Sequence, residues 1–418
     1  MAGQAQKGAA IEVKGKYAAM VVCWLLGVGC LLPWNSMLTV EDYYMAVYPR
    51  YHPSRILSLA YQPFNVGTAA VLTYNEAKVN TRLRNLCGFS IHFTSTLLVL
   101  VVDLASSGKG GIGPFIALCA ISCAFGFADG HVEGGLMGDL SFMLPDLMQS
   151  FLAGNAASGA FTSGLRLVTK AAFEKSKIGL RKGSVLFFVI CTTYELLCVV
   201  LYAFVYPNLP IVKYYRSRAA SEGSLTVSAD LAAAGIQTEP KEQDEEASKK
   251  MERLSNMELI TQNIDYVIGL FLIYVMTLSV FPGFLSEDLG KHSLGEWYAL
   301  VLIAMFNVWD LIGRYVPLLK FLKFESRKGL MIVIVSRFLL IPAFYFIAKY
   351  GDQTSMILLT SFLGLTNGYF TVCVFTSAPK GYKGPEQNAL GNILAVFLMG
   401  GIFFGAILDW LWLIGKGW

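Results

Sequence analysis

A charged pair inside an apolar run is the feature of this sequence with the clearest chemical meaning. The run, residues 297–322, has the length of a membrane-spanning helix, yet it contains Asp310 and Arg314. Their four-residue spacing places both side chains on one helix face, and Asn307 lies on the same stripe. An isolated charge at the centre of such a helix costs about 2.5–3.5 kcal/mol. The stripe is therefore predicted to face a bundle interior or a watered cavity, where it handles a polar solute.

Two carboxylates in another apolar run, residues 112–140, repeat this spacing. Asp129 and Glu133 lie one helical turn apart, beside glycines that recur at every fourth position and let another helix approach closely. Two ionised carboxylates on one face repel each other, so one of them is able to carry a proton at neutral pH. We interpret the pair as a substrate or proton site. The alternative is a pair of helix-packing acids, neutralised by a basic residue such as Arg166 or Lys170.

Aromatic and amide groups beside prolines offer a third set of contacts. Trp34 follows Pro33 near the end of the first apolar run, and Gln62 and Asn65 flank Pro63 in the second. The indole can stack on a planar ring, or it can anchor its helix at the membrane interface. The amides can bind a neutral polar ligand, or they can satisfy the carbonyl groups that the proline leaves unpaired. The sequence favours neither alternative for either group.

The remaining ionisable residues show no arrangement for catalysis or metal binding. No such constellation involves the histidines, which are His52, His92, His131 and His292. Glu195 and Arg337 lie in or near apolar runs, where charged side chains commonly reach the interface. The sequence contains no GxxxxGK[ST], HExxH or GxSxG pattern. We therefore predict no enzyme, no ATP-driven pump, no metal site and no cofactor.

The composition excludes a soluble protein. Of 418 residues, 55% are hydrophobic and 15% are charged, whereas soluble domains carry about 25% charged residues. Long apolar runs with few charges indicate membrane-spanning helices. Soluble enzymes and nucleic-acid binders are thereby excluded, and the net charge of +4 is typical of basic cytoplasmic loops. The expected partners are the lipid bilayer and a polar solute, and no nucleic acid.

We predict an all-α polytopic membrane protein with eleven transmembrane helices. The spans lie near residues 17–40, 54–77, 86–104, 112–140, 147–171, 183–206, 263–285, 295–320, 329–349, 354–377 and 388–414. A polar stretch with few large apolar residues separates the sixth span from the seventh. This 6+5 division is similar to the two-bundle layout of many secondary transporters.

The division defines four regions and an orientation. The regions are a cytoplasmic N-terminus (1–16), an N-terminal six-helix bundle (17–206), a cytoplasmic central loop (207–262) and a C-terminal five-helix bundle (263–418). The loop is expected to be disordered or loosely helical. Cytoplasmic segments hold more Lys and Arg than external ones, which places the N-terminus inside and the C-terminus outside. One external segment disagrees with this bias, because it holds the basic residues Lys170, Lys175, Lys177, Arg181 and Lys182.

Several motifs together resemble the equilibrative nucleoside transporter family, most closely its plant branch. They are LLPWN in span one, GFADGHVEGGLMGDLSFMLP in span four, FNVWDLIGR in span eight, LGLTNGYFTVCVFTSAPK in span ten and GNILAVFLMGGIFFGAILDWL in span eleven. FNVWDLIGR and PWN together are specific, and the resemblance covers essentially the whole chain. It implies an eleven-span fold similar to the major facilitator type, which moves nucleosides, and in some members nucleobases, by alternating access.

The resemblance also implies roles for individual residues. Trp34 matches the family's tryptophan near the ligand base, and Asn307, Asp310 and Arg314 match its polar triad, with the arginine towards the ribose. A glutamine that contacts the base in the family is replaced here by Glu133. Because an ionised glutamate only accepts hydrogen bonds, this replacement leaves the preference between purine and pyrimidine open.

Some plant members of the family couple transport to protons, and Glu133 offers a group that could bind one. We therefore carry the hypothesis that uptake is proton-coupled rather than facilitated, with Glu133 and Asp129 as candidate proton sites. Two other functions remain as alternatives: a major-facilitator-like carrier of another polar metabolite such as a sugar, and a membrane enzyme or channel. The plasma membrane is the expected location, with the vacuolar membrane as the alternative, and the sequence specifies no oligomeric state.

Overall fold

The structure is a computed structural model, and it describes residues 15–173, 176, 178–221, 254–281, 298–324, 326–350, 352–409 and 411. Every regular element within these ranges is a helix, which confirms the predicted all-α class. Most of the predicted cytoplasmic N-terminus, the middle of the central loop and the end of the last span lie outside the described residues.

The first half of the molecule contains six long helices, one short helix after the first of them and one helix at its end. In chain order they are α1 (Lys16–Thr39), α2 (Glu41–Val47), α3 (Pro53–Tyr74), α4 (Thr81–Ser106), α5 (Ile112–Ser141), α6 (Pro145–Phe173), α7 (Gly179–Val200) and α8 (Pro210–Ser221). After α7 the chain continues helically through a π turn, Leu201–Val205, and a 3-10 turn, Tyr206–Asn208.

The second half contains seven described helices. They are α9 (Asn256–Gln262), α10 (Ile264–Leu278), α11 (Tyr298–Tyr315), α12 (Arg327–Ser336), α13 (Leu340–Tyr350), α14 (Gln353–Ser377) and α15 (Gly384–Asp409). The axes of α9 and α10 are bent by 80° at Asn263. A single 3-10 turn, Arg337–Leu339, joins α12 to α13.

The number of membrane-capable helices is lower than the number of predicted spans. Eight helical segments in the described ranges are long and apolar enough to cross a bilayer, or nine if α9 and α10 form one bent span. Helices also occupy the positions of the second and fifth predicted spans, as α3 and α6. These two helices are long enough to span a bilayer, but their mean hydropathy is too low because amides, hydroxyls and glycines interrupt their apolar residues. Length and apolarity therefore support a polytopic bundle, and the count of eleven is not confirmed.

The beginning and the end of the predicted central loop are ordered helices. Ile211, Val212 and Tyr215 on α8 are buried in a hydrophobic core to which both halves contribute. Arg216 donates to Asp139 at the end of α5, with 2.6 Å between Nη2 and Oδ2. Of the two predicted alternatives for the loop, disorder does not fit this part of it, because α8 is a helix whose apolar residues pack against the bundle. Residues 222–253 lie outside the described part of the chain.

Each half is a bundle of helices, and the two bundles meet along two interfaces. In the first half α1 packs along α6 and α3 along α5; in the second, α10 packs along α15 and α11 along α14. The halves meet where α15 lies against α5 and α3, and where α11 lies against α6. Helix α14 also contacts α6, so residues of both bundles line the interface where a solute site between them would lie.

The crossing of α1 and α6 depends on two glycines. A Cβ at Gly154 would overlap the backbone oxygen of Trp24, and a Cβ at Gly27 would overlap the backbone oxygen of Phe151. Close backbone approach at small residues is the main source of helix affinity inside a bilayer, where the hydrophobic effect does not act between helices.

Replacing Gly154 by valine should therefore force α1 and α6 apart. We expect a destabilisation of about 1–3 kcal/mol, typical of overpacking, seen as a lower melting temperature of the purified protein in detergent. Gly67→Val is the matched control, because Gly67 on α3 is exposed and a Cβ there meets nothing within 4 Å. Equal melting temperatures for the two variants would contradict a tight α1–α6 crossing.

Candidate functional site

The Asp310–Arg314 pair on α11 forms as predicted, and a side chain of α14 makes a further hydrogen bond to it. Arg314 Nε donates to Asp310 Oδ2 at 3.1 Å, and both residues are 5% exposed. Asn367 on α14 donates from Nδ2 to the other carboxylate oxygen of Asp310 at 2.7 Å. Both oxygens of Asp310 therefore have protein partners, and this arrangement orients the guanidinium of Arg314.

A second buried arginine extends this network beyond what the sequence predicted. Thr277 on α10 donates to Asn367 Oδ1 at 2.9 Å, and Arg337 Nη2 donates to Thr277 Oγ1 at 3.0 Å. Arg337 does not reach the membrane interface, because it is only 4% exposed. Two arginines thus surround one aspartate, and the interior of the second half carries an excess of positive charge.

The polar stripe of α11 faces the other half of the molecule. Arg314 Nη1 donates to the backbone oxygen of Leu152 on α6 at 2.5 Å, and Gln149 Nε2 donates to the backbone oxygen of Arg314 at 2.8 Å. Asn307 Nδ2 lies 3.4 Å from the Oγ atom of Ser163, which is also on α6. The three stripe residues therefore lie at the interface between the bundles, which is the bundle-interior position expected from their spacing.

Trp34 lies on the first-half side of the interface and is stacked on Tyr61. The ring centroids are 3.9 Å apart and the planes differ by 11°. Trp34 also borders a small cavity, which it shares with Met37, Leu38, Glu41, Tyr44 and Leu57. The free space in this cavity is about that of one water molecule, so the cavity alone does not hold a drug-sized ligand. Tyr61 covers one face of the Trp34 indole, so a planar ligand that stacks on the indole would contact the opposite face.

The amides of α3 include two buried acceptors without protein partners. Gln62 and Asn65 are 6% and 2% exposed, and the described residues provide no hydrogen bond to Gln62 Oε1 or Asn65 Oδ1. Asn65 Nδ2 donates to the hydroxyl of Tyr61 at 3.2 Å. Because unpaired buried acceptors are uncommon, these oxygens are suited to a donor on a ligand or on water.

Asp129 has different partners from those considered in the sequence analysis. Its carboxylate accepts a hydrogen bond from the hydroxyl of Tyr61, and its Oδ1 lies 2.8 Å from Nε2 of His92 on α4. Arg166 instead donates to Asp42 on α2, and Lys170 also approaches Asp42. The interpretation of Asp129 as a partner of Arg166 or Lys170 is therefore wrong.

The sequence assigns no partner to His92, which the structure brings beside Asp129. Both His92 and Asp129 are fully buried. The predicted glycine ridge explains part of this arrangement, because Gly126 and Gly130 let the backbone of α3 approach α5 and carry Tyr61 to Asp129.

Glu133 links the two halves electrostatically. It is 3% exposed, and it lies within range of electrostatic interaction with Asp129 on its own helix and with Arg314 across the interface. Tyr274 on α10 lies within the same range of Glu133, Asp310 and Arg314. The sequence-predicted residues of α5 and α11 therefore belong to one electrostatic environment.

Sequence reasoning missed four members of this environment: His92, Tyr61, Tyr274 and Asn367. His92 and Asn367 carried a detectable signal, since each is a strongly polar side chain in the middle of an apolar span. No signal in the sequence indicates the hydrogen bond between Tyr61 and Asp129, because the two residues are 68 positions apart.

Comparison with known proteins identifies the family. A family profile described as nucleoside transporter matches residues 118–414. The chain belongs to this family. Equilibrative nucleotide transporter 3 of Arabidopsis thaliana is 64% identical over 405 residues, which cover 97% of this chain and 96% of that protein. Equilibrative nucleotide transporter 5 of the same plant is 61% identical over the same shares of the two chains.

The fold of this nucleoside transporter family member is similar to that of a solved transporter of the major facilitator superfamily. The solved structure of the proton:xylose symporter XylE, bound to 6-bromo-6-deoxy-D-glucose, superimposes with a TM-score of 0.64. The match covers 96% of this chain and 90% of XylE, at 12% sequence identity. At that identity the similarity concerns the fold alone.

Proposed function

We propose that this chain carries nucleosides across a membrane as a secondary transporter that works by alternating access. The observation that supports the proposal is the group of polar side chains at the interface of the two bundles, where Arg314 donates to the backbone of α6 and interacts with Glu133 on α5. We propose that the substrate site consists of Trp34, Gln62, Asn65, Glu133, Asn307, Asp310 and Arg314.

The chemistry of this site suits a nucleoside. The open face of Trp34 offers stacking to a planar base, and the orphan amide oxygens of α3 offer acceptors to its exocyclic groups. Arg314, oriented by Asp310, offers donors to ribose hydroxyls while the pair stays neutral overall. A neutral ligand with one flat end and one hydroxyl-rich end matches both sets of groups.

The acids of the site favour a nucleoside over a nucleotide, although the names of the relatives refer to nucleotides. Glu133 and Asp129 lie together on α5, and a phosphate brought near them would be repelled. The two buried arginines of the second half offset this repulsion only partly, because Asp310 already engages Arg314. We therefore expect nucleosides to be preferred to their monophosphates.

The remaining features of the topology are proposals as well. Helices α3 and α6 would cross the membrane with the nine other segments, giving eleven spans in a 6+5 arrangement; their polar residues face protein rather than lipid. The N-terminus would be cytoplasmic and the C-terminus external. The basic external segment is an exception to the Lys/Arg bias in this orientation; two of its residues form ion pairs, Arg181 with Asp103 at 2.9 Å between Nε and Oδ2, and Lys170 with Asp42. The plasma membrane is the proposed location.

Alternating access requires one interface between the bundles to open while the other closes. Arg84 Nη1 donates to Asn392 Oδ1 on α15 at 2.7 Å, and Asn388 and Asn392 pack against Gly138 on α5. In the proposed orientation these contacts close the cytoplasmic end. They must break when the substrate is released inside.

Counterflow in proteoliposomes tests the function. Tritiated adenosine or uridine should enter saturably, and unlabelled nucleoside preloaded inside should accelerate this entry. Unlabelled adenosine outside should compete, whereas glucose and adenosine monophosphate should compete weakly. Equal competition by glucose would favour a sugar carrier. Uptake without acceleration by preloaded nucleoside would indicate a channel, and chemical conversion of the nucleoside would indicate an enzyme.

A further inference from the structure

The amide of Asn155 on α6 is buried, and its acceptor is unpaired in the described part of the chain. Asn155 is 2% exposed, and none of the described residues donates a hydrogen bond to its Oδ1. Its backbone oxygen is used separately, because it accepts from the hydroxyl of Ser158 at 2.7 Å. A buried acceptor without a partner is costly, so such a group is suited to a donor on a ligand or on ordered water.

The neighbours of Asn155 on α6 show where its side chain points. Successive positions on an α-helix are about 100° apart, so Ser158 lies about 60° to one side of Asn155 and Gly159 about 40° to the other. Ser158 Oγ accepts from Asn35 on α1 at 2.5 Å. A Cβ at Gly159 would meet Asn307 on α11. Asn155 is therefore directed into the groove between α1 and α11.

Along the axis of α6, Asn155 lies between the two ends of the proposed site. One turn before it, the backbone oxygen of Leu152 accepts from Arg314. One turn after it, Ser158 accepts from the residue that follows Trp34. These two contacts are about 9 Å apart along the helix, which is similar to the long dimension of a nucleoside. Asn155 therefore faces the middle of a ligand that extends from Trp34 to Arg314.

A ribose hydroxyl in this position needs an acceptor as well as a donor. Each hydroxyl donates one hydrogen bond and accepts others, whereas the guanidinium of Arg314 only donates. Both oxygens of Asp310 already accept hydrogen bonds, one from Arg314 and one from Asn367. The unpaired oxygen of Asn155 is an acceptor one helical turn from the contact of Arg314 with α6. Because the 2′- and 3′-hydroxyls are adjacent, one ligand pose can use both Arg314 and Asn155.

We propose that Asn155 contacts the substrate and determines its preference for ribose, because its amide oxygen accepts a hydrogen bond from the 2′- or the 3′-hydroxyl. The inference rests on the proposed nucleoside transport and adds a specificity-determining residue to the same site. A nucleoside that lacks this hydroxyl leaves the buried oxygen unpaired, and sites of this kind discriminate against such analogues.

Uptake of three nucleosides by the protein in proteoliposomes tests the assignment. The substrates are uridine, 2′-deoxyuridine and 3′-deoxyuridine, and KM and maximal rate are determined separately for each. In the wild type, the KM for one of the two deoxynucleosides should exceed the KM for uridine about 5- to 20-fold, the cost of an unpaired buried acceptor. The deoxynucleoside with the higher KM identifies the hydroxyl that Asn155 contacts.

Asn155→Leu removes the amide and keeps a side chain of similar size. It should raise the KM for uridine and leave the KM for the discriminated deoxynucleoside nearly unchanged, so the ratio of these two KM values should fall to about one. A purely structural role of Asn155 would change both KM values equally and keep the ratio of the wild type. That result would contradict the inference.

Asn85→Leu is the matched control. Asn85 on α4 is also a fully buried amide with an unpaired Oδ1 among the described residues, but its Nδ2 donates to Tyr202 within the first half. Its replacement should keep the KM ratio of the wild type. Glu133 is the rival acceptor for the hydroxyl. If the ratio falls in Glu133→Leu and not in Asn155→Leu, the contact belongs to Glu133 and the inference is wrong.

The wild-type protein alone can also overturn the inference. Uridine counterflow with equal KM values for all three nucleosides would leave the proposed function intact and reject the role of Asn155. Absence of counterflow would instead reject the proposed function. Should Asn155→Leu fail to reach the membrane, Asn155→Ala decides, because it removes the amide without adding bulk: a KM ratio identical to that of the wild type would contradict the assignment.

Discussion

Asp310→Asn is expected to lower nucleoside uptake about 100-fold or more while the protein still reaches the membrane. The amide can still accept a hydrogen bond from Arg314, but it cannot compensate the buried guanidinium. Removing one partner of a buried ion pair costs about 3–5 kcal/mol, and each 1.4 kcal/mol is a factor of ten. Arg337 raises this cost further, because a second buried arginine lies in the same network.

The measurement is initial uptake of tritiated nucleoside, normalised to the amount of protein at the cell surface. Asp265→Asn is the matched control, since it also removes an aspartate–arginine pair, with Arg327, but that pair is partly exposed. Exposed pairs contribute about 0–1 kcal/mol, so uptake should stay within about twofold. Normal uptake by Asp310→Asn at normal surface amounts would show that the buried pair has no part in transport.

Trp34→Ala should raise the KM for nucleosides about 10- to 100-fold. Stacking of a base on an aromatic ring contributes about 1–3 kcal/mol, and the alanine variant removes the ring that the substrate would contact. It also uncovers Tyr61, which is stacked on Trp34 at 3.9 Å. Trp34→Phe retains a smaller aromatic face and should lie between the wild type and the alanine variant.

Trp24→Ala provides the control for Trp34→Ala. Trp24 lies ten residues earlier on α1, where it packs against the core of the first half, so its loss should lower the protein amount and leave KM unchanged. The experiment measures KM and maximal rate separately. An unchanged KM in Trp34→Ala would mean that the indole only anchors α1 at the membrane interface, the alternative that the sequence left open.

Features that depend on spacing along one helix could be predicted from the sequence. The Asp310–Arg314 pair is one, because a four-residue spacing brings two side chains together on any α-helix. The close approach of another helix to α5 is a second such feature, because glycines at every fourth position mark one smooth face; the structure shows that this helix is α3. The motifs in spans one, four and eight also indicated the nucleoside transporter family, and the comparisons confirm that prediction.

Features that depend on which helices are neighbours were decided only by the tertiary structure. Asn367 reaches Asp310 from 57 positions away, and Tyr61 reaches Asp129 from 68. The sequence indicates no partner for His92; the structure provides Asp129, because α4 packs beside α5. The sequence of α8 is typical of a loop, but its apolar residues pack in the hydrophobic core. The physical reason is that helical periodicity specifies a polar face, whereas the partner of that face is chosen by packing between distant segments.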